Sequence, residues 1–594
     1  MRRVVLVAVA VMLVCFSAAS PAGQSPGESP RWQRLQVGDR VRLSLADAIA
    51  LALDSNLDIE LQRVGLDLAD TDIRRASAGA QGRGVTLAVR EGPRSVSSST
   101  TSVAGNAPLG LGAEANLSLS GGQTPTAGRL PPSFDPVVTA GIRSGHQTIP
   151  QANSFAIGTG VLESDTTSGS LSFLQGFRTG GELAITFDAT SQHLNNRRVD
   201  VNPFTQAGAG ISFTQPLLRG FGWALNSRFI RITQRNRDVA DLVFQQQVIS
   251  TVSAVVRLYW DLSSLAAEVT VRQQNLARSE KLLSDTDAQV GVGTRADIDA
   301  VRARAEVARA RRDLIAVEGL ARQQETILKD FLSRGTIADS GLAKRSLELT
   351  DRPPAMPDSE PGSLQDMVRQ AIESRPDLAQ ARLQIENART ALEGSRNALL
   401  PALDLVVSAR SNALTGDVNP LVIAGSAAHV PDPRFVGNFR DALAQIGRGT
   451  FPDYGIAVQM SIPLRQRAAS ADVARDRIAV RQQQLRLELL EKQVAVEIQN
   501  AVIAVGQARA TLESASRERE YQERALAAEQ DRLGVGVSTT YLVIQYQRDL
   551  AQAQSAEAAA RAGYGIARSA LDRATGRLLS QYGVVVASGE AHTK

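Results

Sequence analysis

Two very long stretches of the chain have the hydrophobic spacing of α-helices. Trp223 to Val290 contains neither glycine nor proline, and its apolar residues recur every three, four or seven positions: Leu258, Leu262, Leu265, Val269, Leu276 and Leu283. Leu464 to Leu533 is interrupted only by Gly506, with Leu489, Val496 and Ile503 seven positions apart. At ~1.5 Å per residue, each stretch predicts a rod of roughly 100 Å. Rods of that length must pack against partners along their sides.

A shorter helix follows each rod, at about Arg295 to Ser333 and about Thr540 to Leu579. The second of these is rich in small side chains, which permit close helix approach: Ala551, Ala553, Ala556, Ala558, Ala559, Ala560 and Ala562. Glycine-containing segments lie where each rod must reverse into its return helix, because glycine relieves the strain of a tight reversal. Each half therefore predicts a helical hairpin.

The whole arrangement occurs twice. Ser44 to Gly82 returns as Ser363 to Pro401, and Ser44/Ser363, Asp47/Asp366 and Ala52/Ala371 coincide at one offset. Downstream, Gln215-Pro216-Leu217 corresponds to Ile462-Pro463-Leu464, and Val290-Gly291-Val292 to Val535-Gly536-Val537. Pro216 follows Ser44 by 172 positions but Pro463 follows Ser363 by 100, so the first half carries 72 additional residues. A repeat this long is no solenoid unit and predicts two halves built alike.

Strand-like alternation lies between the first helix and the rod of each half. In the second half it covers about 402–410 and 454–462, each near the length of a tilted membrane strand. The first half has more candidates than the repeat requires: Leu171/Phe173, Leu183/Ile185/Phe187, Ile211/Phe213, Val85 to Val89 and Pro136 to Ile142. Two strands per half satisfy the repeat, and the remaining Gly/Ser/Thr-rich residues suit extracellular loops.

The N-terminus predicts export. Met1-Arg2-Arg3, the apolar run to Phe16 and the small residues that follow are typical of a signal peptide at 1–22, cleaved after Ala22. Cys15, the only cysteine, lies within it, so the mature chain would contain no thiol. Lipidation of Cys15 is disfavoured because Val14 precedes it. No later stretch approaches the ~20 apolar residues of a membrane helix, so strands must make any membrane crossing.

Composition and charge narrow the remaining classes. Aromatic residues are 4% of the 594 residues, which is low for ordinary globular cores, and the formal charge is only +4. The arginines between Arg302 and Arg312 are interleaved with Glu306 and Asp313 at helical spacing, which favours a solvated helix face over a nucleic-acid site.

These observations predict the following organisation: a signal peptide at 1–22, an N-terminal linker at 23–42, a first repeat at 43–334 with strands and enlarged extracellular loops at about 82–215, an inter-repeat linker at 335–362, a second repeat at 363–580 and a tail at 581–594.

Several segments, in the same order in both halves, resemble TolC-type outer-membrane efflux proteins. They are Ser44-Leu45 with Ala48 to Leu51, TQPLLRGFG at Thr214 to Gly222, and RLGVGVSTTYLVIQYQRDLAQAQ at Arg532 to Gln554, followed by Tyr564, Leu571 and Ala574-Thr575-Gly576. The resemblance implies a mostly helical homotrimer, in which each protomer gives four strands to a twelve-stranded β-barrel and long helices to a periplasmic tunnel. It also implies outer-membrane lipid, a periplasmic membrane-fusion adaptor and an inner-membrane pump as partners, and it assigns the linker at 335–362 to a belt around the middle of the tunnel.

The resemblance assigns roles to the ends of the hairpins. An acidic residue six positions after the turn glycine helps close the tunnel, which from Gly291 gives Asp297, followed by Asp299 and supported by Arg295. The corresponding positions after Gly536 are Leu542 and Gln545, so acid rings are expected from the first half only. Asp297 could equally serve only to favour the helix start. Adaptor docking is expected at the two tips: Val290, Gly291, Val292, Gly293, Thr294, Gly534, Val535, Gly536, Val537 and Ser538.

The chain carries no recognisable catalytic motif. His146, His193, His429 and His592 have no metal-ligand spacing, and the chain contains no phosphate-binding glycine loop with Lys, no Gly-x-Ser-x-Gly turn and no HExxH. We expect no enzyme, cofactor or metal. The alternative to a channel is a periplasmic coiled-coil scaffold, which would extract without detergent.

Overall fold

The computed structural model describes residues 35–37, 40–85, 88–93, 95–96, 131–334, 345–353, 362–422 and 427–586. The predicted signal peptide with Cys15, most of the N-terminal linker, His592 and most of the C-terminal tail lie outside these residues. Within them the chain forms long helices, one large sheet and one small sheet. The helices in chain order are α1 (Leu45–Ser55), α2 (Leu57–Ser77), α3 (Trp223–Asn226), α4 (Arg228–Gly291), α5 (Asp297–Leu332), α6 (Leu364–Ser374), α7 (Pro376–Ala398), α8 (Phe439–Arg448), α9 (Arg467–Gly534), α10 (Thr540–Ala574) and α11 (Leu578–Gln581).

The two rods are α4, with 64 residues, and α9, with 68. This confirms the helical prediction, although each rod begins a few residues later than its apolar pattern. α5 and α10 return along them as predicted. The first helices of the two halves also begin alike, because Ser44 Oγ accepts from the Asp47 amide at 3.1 Å and Ser363 Oγ from the Asp366 amide at 3.2 Å. These caps satisfy amides that no helical carbonyl can reach.

The main core surrounds the middle of α4. Leu258 and Tyr259 pack there with Leu43, Leu328 and Leu332. The Tyr259 hydroxyl donates to the Leu43 carbonyl at 3.0 Å, and the Asp351 amide donates to that hydroxyl at 3.2 Å. Three short strands surround this point, β1 (Gln36–Val37) and β2 (Arg40–Leu43) with a later strand at Ser346–Leu349, which pairs parallel with β2. The described part of the segment between the halves therefore lies beside the middle of a rod.

The same core explains the hydropathy of α4. One 18-residue window of this helix is apolar enough to cross a membrane by length and composition, and no other helix among the described residues contains such a window. The expectation that no stretch after Phe16 would approach this length is therefore wrong. Most of the window is buried within the molecule, as Val252, Val255 and Val256 show. The apolar residues of this window therefore belong to the protein core.

The large sheet has six strands, and every neighbouring pair is antiparallel. In chain order the remaining strands are β3 (Val137–Pro150), β4 (Val161–Gly176), β5 (Glu182–Leu194), β6 (Val201–Pro216), β7 (Ser346–Leu349, in the small sheet), β8 (Ala402–Val418) and β9 (Phe451–Ser461). The spatial order is β3-β4-β5-β6-β8-β9. The second half supplies two strands, as predicted, with β8 longer than expected. The first half supplies four, so the expectation of two strands per half and four per protomer is wrong.

At one level of the large sheet its two faces differ in character. Further along the apolar face, α8 covers Ala207 and Ala413. Paired positions of the six strands form an apolar row on one face: Val138, Phe173, Ile185, Ile211, Ala409 and Tyr454. The adjacent row on the opposite face is polar or small: Thr139, Ser172, Thr186, Gly210, Arg410 and Asp453. On that polar face Arg410 donates to both oxygens of Asp188, at 2.6 and 2.8 Å. The alternation extends over all six strands.

Part of the additional length in the first half lies against the helices. Gln62 Nε2 donates to the Ala88 carbonyl at 2.6 Å, Arg257 to the Pro93 carbonyl at 2.9 Å, and Ser95 Oγ to Gln324 Oε1 at 3.1 Å. At Phe134 the chain is again beside the end of α2, where its amide donates to the Ala78 carbonyl at 3.0 Å. The prediction of extracellular loops from about residue 82 is therefore wrong for this segment.

The strand predicted at Val85 to Val89 is also wrong for its described residues. Val85 and Val89 lie outside any strand and pack against Ala69, Val239 and Val243 on α2 and α4. Alternating valines can pack against a helix surface or lie on one face of a sheet. The pattern alone therefore could not distinguish an extended segment beside helices from a strand.

Candidate functional site

The reversal of each helical hairpin is built around one glycine in the left-handed region. Gly293 has φ of 73° and Gly536 has φ of 77°. Both turns use the same bonds: the Gly293 amide donates to the Val290 carbonyl at 2.9 Å, and the Gly536 amide to the Leu533 carbonyl at 3.1 Å. The structural equivalent of Gly536 is therefore Gly293.

This equivalence corrects the repeat alignment at the tips. Val290-Gly291-Val292 and Val535-Gly536-Val537 match as letters, but Gly291 ends α4 as Gly534 ends α9. Both tips contain two glycines two positions apart, so the motif fits in either register, and only the backbone angle identifies the turn glycine. Six positions beyond Gly293 is Asp299, whereas the sequence alignment selected Asp297.

The tips are open on their outer side. A Cβ atom placed at Gly291, Gly293, Gly534 or Gly536 would lie more than 4 Å from every atom outside its local backbone. Val292 and Val535 are each 75% exposed, and Val537 is similar. Thr294 donates its hydroxyl to the Gln289 carbonyl at 2.8 Å and closes the first turn. Both tips therefore present small and apolar groups without an intramolecular partner surface.

The two tips of one chain meet at Arg295. Its guanidinium donates to the hydroxyl of Thr540, the first residue of α10, at 2.5 Å. An open groove lies between the tips, with lining residues from both hairpins: Thr294, Arg295, Ala296, Asp299, Arg302, Gly536, Ser538, Thr539 and Tyr541. Ser538 also donates to the carboxylate of Glu529 on α9. Residues far apart in sequence thus form one end surface.

The two predicted acids occupy different places in this surface. Asp299 lines the groove and accepts from Arg302 at 3.5 Å, with most of its side chain covered. Asp297 is the exposed first residue of α5 and is absent from the groove lining. Its carboxylate favours the N-terminus of that helix. The structure therefore brings Asp299, and not Asp297, towards the second tip.

The second hairpin carries a carboxylate that the sequence analysis did not identify. Leu542 and Gln545 are exposed on α10, and Gln545 Nε2 lies 3.5 Å from the carboxylate of Asp549, one turn further along. Leu542, Gln545 and Asp549 follow one another at helical spacing, which could have revealed the acid. One turn from Gln545, Arg548 pairs with buried Glu306 of α5, and this hydrogen-bonded pair raises the pKa of Arg548 above its ordinary value.

Several arginines and two of the histidines singled out by the sequence are paired with acidic side chains, and one of these histidines, His429, is mostly covered. Arg304, Arg311 and Arg312 are exposed and paired with Asp287, Glu280 and Asp313, which confirms a charged helix face. His146 contacts Asp165 and His429 contacts Asp200. Among the residues that the structure describes, no three His, Cys, Asp or Glu side chains are grouped to hold a metal ion.

Comparison of the whole chain with solved structures finds the same fold in several bacterial proteins. The CmeC outer membrane channel of Campylobacter jejuni is 12% identical, with 94% of this chain and 91% of CmeC covered and a TM-score of 0.55. The outer membrane protein VceC of Vibrio cholerae is 14% identical, with 93% and 99% covered and a TM-score of 0.55. The open state of the MtrE outer membrane channel of Neisseria gonorrhoeae is 14% identical, with 90% and 89% covered and a TM-score of 0.50.

Sequence comparison identifies the family directly. No curated protein sequence matches the chain. The family model described as outer membrane efflux protein matches residues 182–333 and 367–577, which together are more than half of the chain and include both helical hairpins. The resemblance inferred from the repeated motifs is thereby confirmed. The chain belongs to the outer membrane efflux protein family, and it is an outer-membrane protein with a large periplasmic part.

Proposed function

We propose that three copies of this chain form a continuous channel and tunnel, which carries efflux or type I secretion cargo from a periplasmic adaptor and an inner-membrane pump to the exterior. The observation that carries this proposal is the apolar surface that a single copy leaves exposed along its rods. Leu489, Val496 and Ile503 are exposed on α9 and seven residues apart, with Leu489 at 64% exposure. A stripe of this length and regularity is typical of a helix that packs against another helix.

A second apolar stripe offers the complementary surface. Leu57, Leu61, Val64 and Leu68 are exposed on α2 at intervals of three and four residues. Copies related by a rotation axis can bury the α2 stripe of one protomer and the α9 stripe of its neighbour at each interface, and a closed ring leaves neither exposed. This arrangement supports a ring of long helices with a central passage.

The large sheet supports a membrane location for the other end. The exposed apolar row, with Ile185 and Ile211, suits lipid, and the opposite face with Arg410 and Asp188 suits a water-filled passage. Six strands are fewer than the roughly eight of the smallest membrane barrels, and a sheet with open edges leaves backbone groups unpaired in lipid. Several copies must therefore close one barrel.

The tips are the proposed gate and docking surface at the periplasmic entrance. Asp299 and Arg295 would face neighbouring chains around the axis as rings of charge, with Leu542 and Gln545 beside them. Val292, Gly293, Thr294, Val535, Gly536 and Val537 would contact the adaptor end to end. Six tips per trimer give many weak contacts whose avidity comes from their number. A partner pump would supply the energy.

The test is assembly and conductance of the purified protein. We expect the protein to remain with the membranes until detergent is added, to have the mass of three protomers in detergent, and to conduct ions weakly in planar bilayers because the entrance is closed. A monodisperse monomer without conductance would exclude the trimeric channel. Extraction by salt alone would favour the periplasmic coiled-coil scaffold, for which the apolar face of the sheet has no use.

A further inference from the structure

We propose that all six strands of the large sheet form the barrel wall and that β9 of one copy pairs with β3 of the next. This inference rests on the proposed trimer. Three sheets of six strands then close one barrel of eighteen strands, where the family resemblance implied twelve. The interaction surface is the free edge of β3, and its occupant is a second copy of this chain.

The edge that a twelve-stranded barrel needs is already occupied. With four strands per protomer, β9 of one copy would pair with β5 of the next. In this chain β4 pairs with β5 without interruption, from Ser164 opposite Leu194 to Gly176 opposite Glu182. The edges of the sheet are β3, which is exposed along its whole length, and β9. Because backbone groups must be paired in lipid, the neighbouring copy has to pair with β3.

The β3–β4 hairpin has the faces of a barrel wall. Val138 and Phe173 continue the apolar row of the other four strands, and Thr139 and Ser172 continue the polar row. A hairpin outside the membrane would not need an apolar row aligned with that of the other strands. The segment that matches the family begins at residue 182, the first residue of β5. The hairpin lies outside the matched segment and nevertheless has the alternation of a membrane sheet.

The base of the hairpin is fixed to the helical part. The Gly176 amide at the end of β4 donates to the Ser133 carbonyl at 3.0 Å, and the neighbouring Phe134 amide donates to the carbonyl of Ala78, directly after α2. The packing is close, because a Cβ atom at Gly176 would lie 2.3 Å from the Ser133 oxygen. This attachment holds the bases of β3 and β4 beside those of β5, β6, β8 and β9.

Strand direction permits closure. Neighbouring strands alternate in direction across the sheet, so β3 and β9, the first and sixth in spatial order, run in opposite directions. β9 of one copy and β3 of the next can therefore pair as antiparallel strands, which keeps the alternation unbroken around a ring with an even number of strands.

The register of the sheet also fits a tilted barrel. The row of paired residues that starts at Val137, at the base of β3, reaches Gly455 on β9 and not Ser461 at the base of that strand. When the strands of a barrel are tilted, a row of paired residues moves away from the strand bases from one strand to the next, as barrel closure requires. If the bases of β9 and the next β3 are level, Val458 pairs with Ala140 and Ile456 with Ile142. Both pairs place apolar side chains on the lipid face.

Cysteine pairs distinguish the two closures. In a Cys15→Ala background, Val458→Cys is combined with Ala140→Cys, and oxidation should form a disulfide between copies, detected as dimers and trimers in denaturing gels. Val138→Cys and Ile142→Cys, each combined with Val458→Cys, cover a shift of two residues. The matched control is Val458→Cys with Ile185→Cys, the β5 position at the same height on the same face, which should not cross-link. Phe173→Cys with Ile185→Cys should form a disulfide within one chain.

The outcomes separate this inference from the proposed function. Trimer mass and bilayer conductance are measured on the same variants before oxidation. In an intact conducting trimer, a cross-link at Ile185, or none at any of the three β3 positions, overturns the eighteen-stranded closure and leaves the channel standing. Loss of the trimer in the natural sequence refutes the proposed function itself. A strand count by electron microscopy of the trimer should give eighteen.

Discussion

Arg548 on α10 binds the carboxylate of Glu306 on α5 with two nitrogens. Its Nε lies 3.0 Å from each Glu306 oxygen, and Nη2 also donates to Oε2. Glu306 is only 5% exposed, whereas the Arg548 side chain remains partly open to solvent. The pair links the return helices of the two halves within two or three turns of their tips. It holds in position the surface that we assign to the gate and the adaptor.

Arg548→Met should loosen this end of the molecule. Removal of one partner leaves a buried carboxylate without its counter-charge and costs roughly 3–5 kcal/mol in a fully buried pair. Because Arg548 is partly solvated, we expect about 1–2 kcal/mol, or about tenfold faster amide hydrogen exchange near the pair on α5 and α10. Arg548→Met combined with Glu306→Leu should restore much of the protection. Unchanged exchange in the single variant would show that the pair carries no stability.

Local sequence patterns were sufficient to predict the rods, the return helices and the second-half strands. A heptad stripe such as Leu489, Val496 and Ile503 specifies a helix by itself. The first-half strands were ambiguous, since Val85 to Val89 alternates as Pro136 to Ile142 does, yet only the second lies in the sheet. The choice depends on what each segment packs against, which a single segment does not encode.

The candidate site was predicted in outline and shifted in detail. The tips were located correctly from their glycines, but two glycines per tip left the register open by two residues, so Asp297 was selected where Asp299 faces the groove. The link between Arg548 and Glu306 joins residues of different halves. No spacing rule connects them, because the contact follows from how the two hairpins pack.

The corrected register predicts different effects for the two acids of the first tip. Asp299→Asn should weaken block of the channel by divalent cations in planar bilayers by about tenfold. This factor assumes three symmetry-related carboxylates at roughly 0.5 kcal/mol each, the usual size for partly solvated charges. Asp297→Asn, two residues away and outside the groove, is the matched control and should change block little. A larger effect at Asp297 than at Asp299 would reject the register given by Gly293.

Asp261 provides a pH-dependent prediction. Burial in the middle of α4 raises the pKa of Asp261 above its ordinary value. The hydrogen bond from the Ser95 hydroxyl and the charge of Arg257 lower the pKa, but by less than burial raises it. A carboxyl group with a raised pKa in the folded state contributes stability below its ordinary pKa and loses it as pH rises through the folded value. Asp261→Asn should therefore raise the unfolding temperature at neutral pH, and the gain should vanish towards about pH 4. Asp285→Asn, at an exposed position of the same helix, should have no such gain.

Bulky side chains at the ends of the rods should block docking without disturbing the turns. Gly291 and Gly534 have ordinary backbone angles, and a Cβ atom added at either would have no atom outside its local backbone within 4 Å, so tryptophan can project outward from both positions. Gly293 and Gly536 are less suitable because their positive φ would add strain. We expect Gly291→Trp and Gly534→Trp to keep the trimer but lower transport and adaptor cross-linking by at least about tenfold, the factor given by about 1.4 kcal/mol of lost contact.

The control for docking is Gly319→Trp, on α5 away from the tip and equally free of neighbouring atoms. It should leave transport and cross-linking unchanged when its trimer is intact. Normal transport in both tip variants would mean that the tips serve only as turns.

Charge placed in the exposed α9 stripe should prevent assembly. Burial of a Leu or Val side chain contributes roughly 1.5–3 kcal/mol. A ring of three protomers has three equivalent interfaces, and each of them buries one copy of the stripe. Leu489→Glu with Val496→Glu removes that contribution and adds carboxylates that would have to be buried, so the detergent-solubilised protein should be monomeric by light scattering. Leu489→Ala with Val496→Ala should weaken the trimer less, because it removes apolar area without adding charge. Gln530→Glu adds one carboxylate to an exposed position of the same helix, roughly 40 Å beyond Ile503, and should remain trimeric. A trimer of undiminished thermal stability in the double Glu variant would place the interface on another face of the rods.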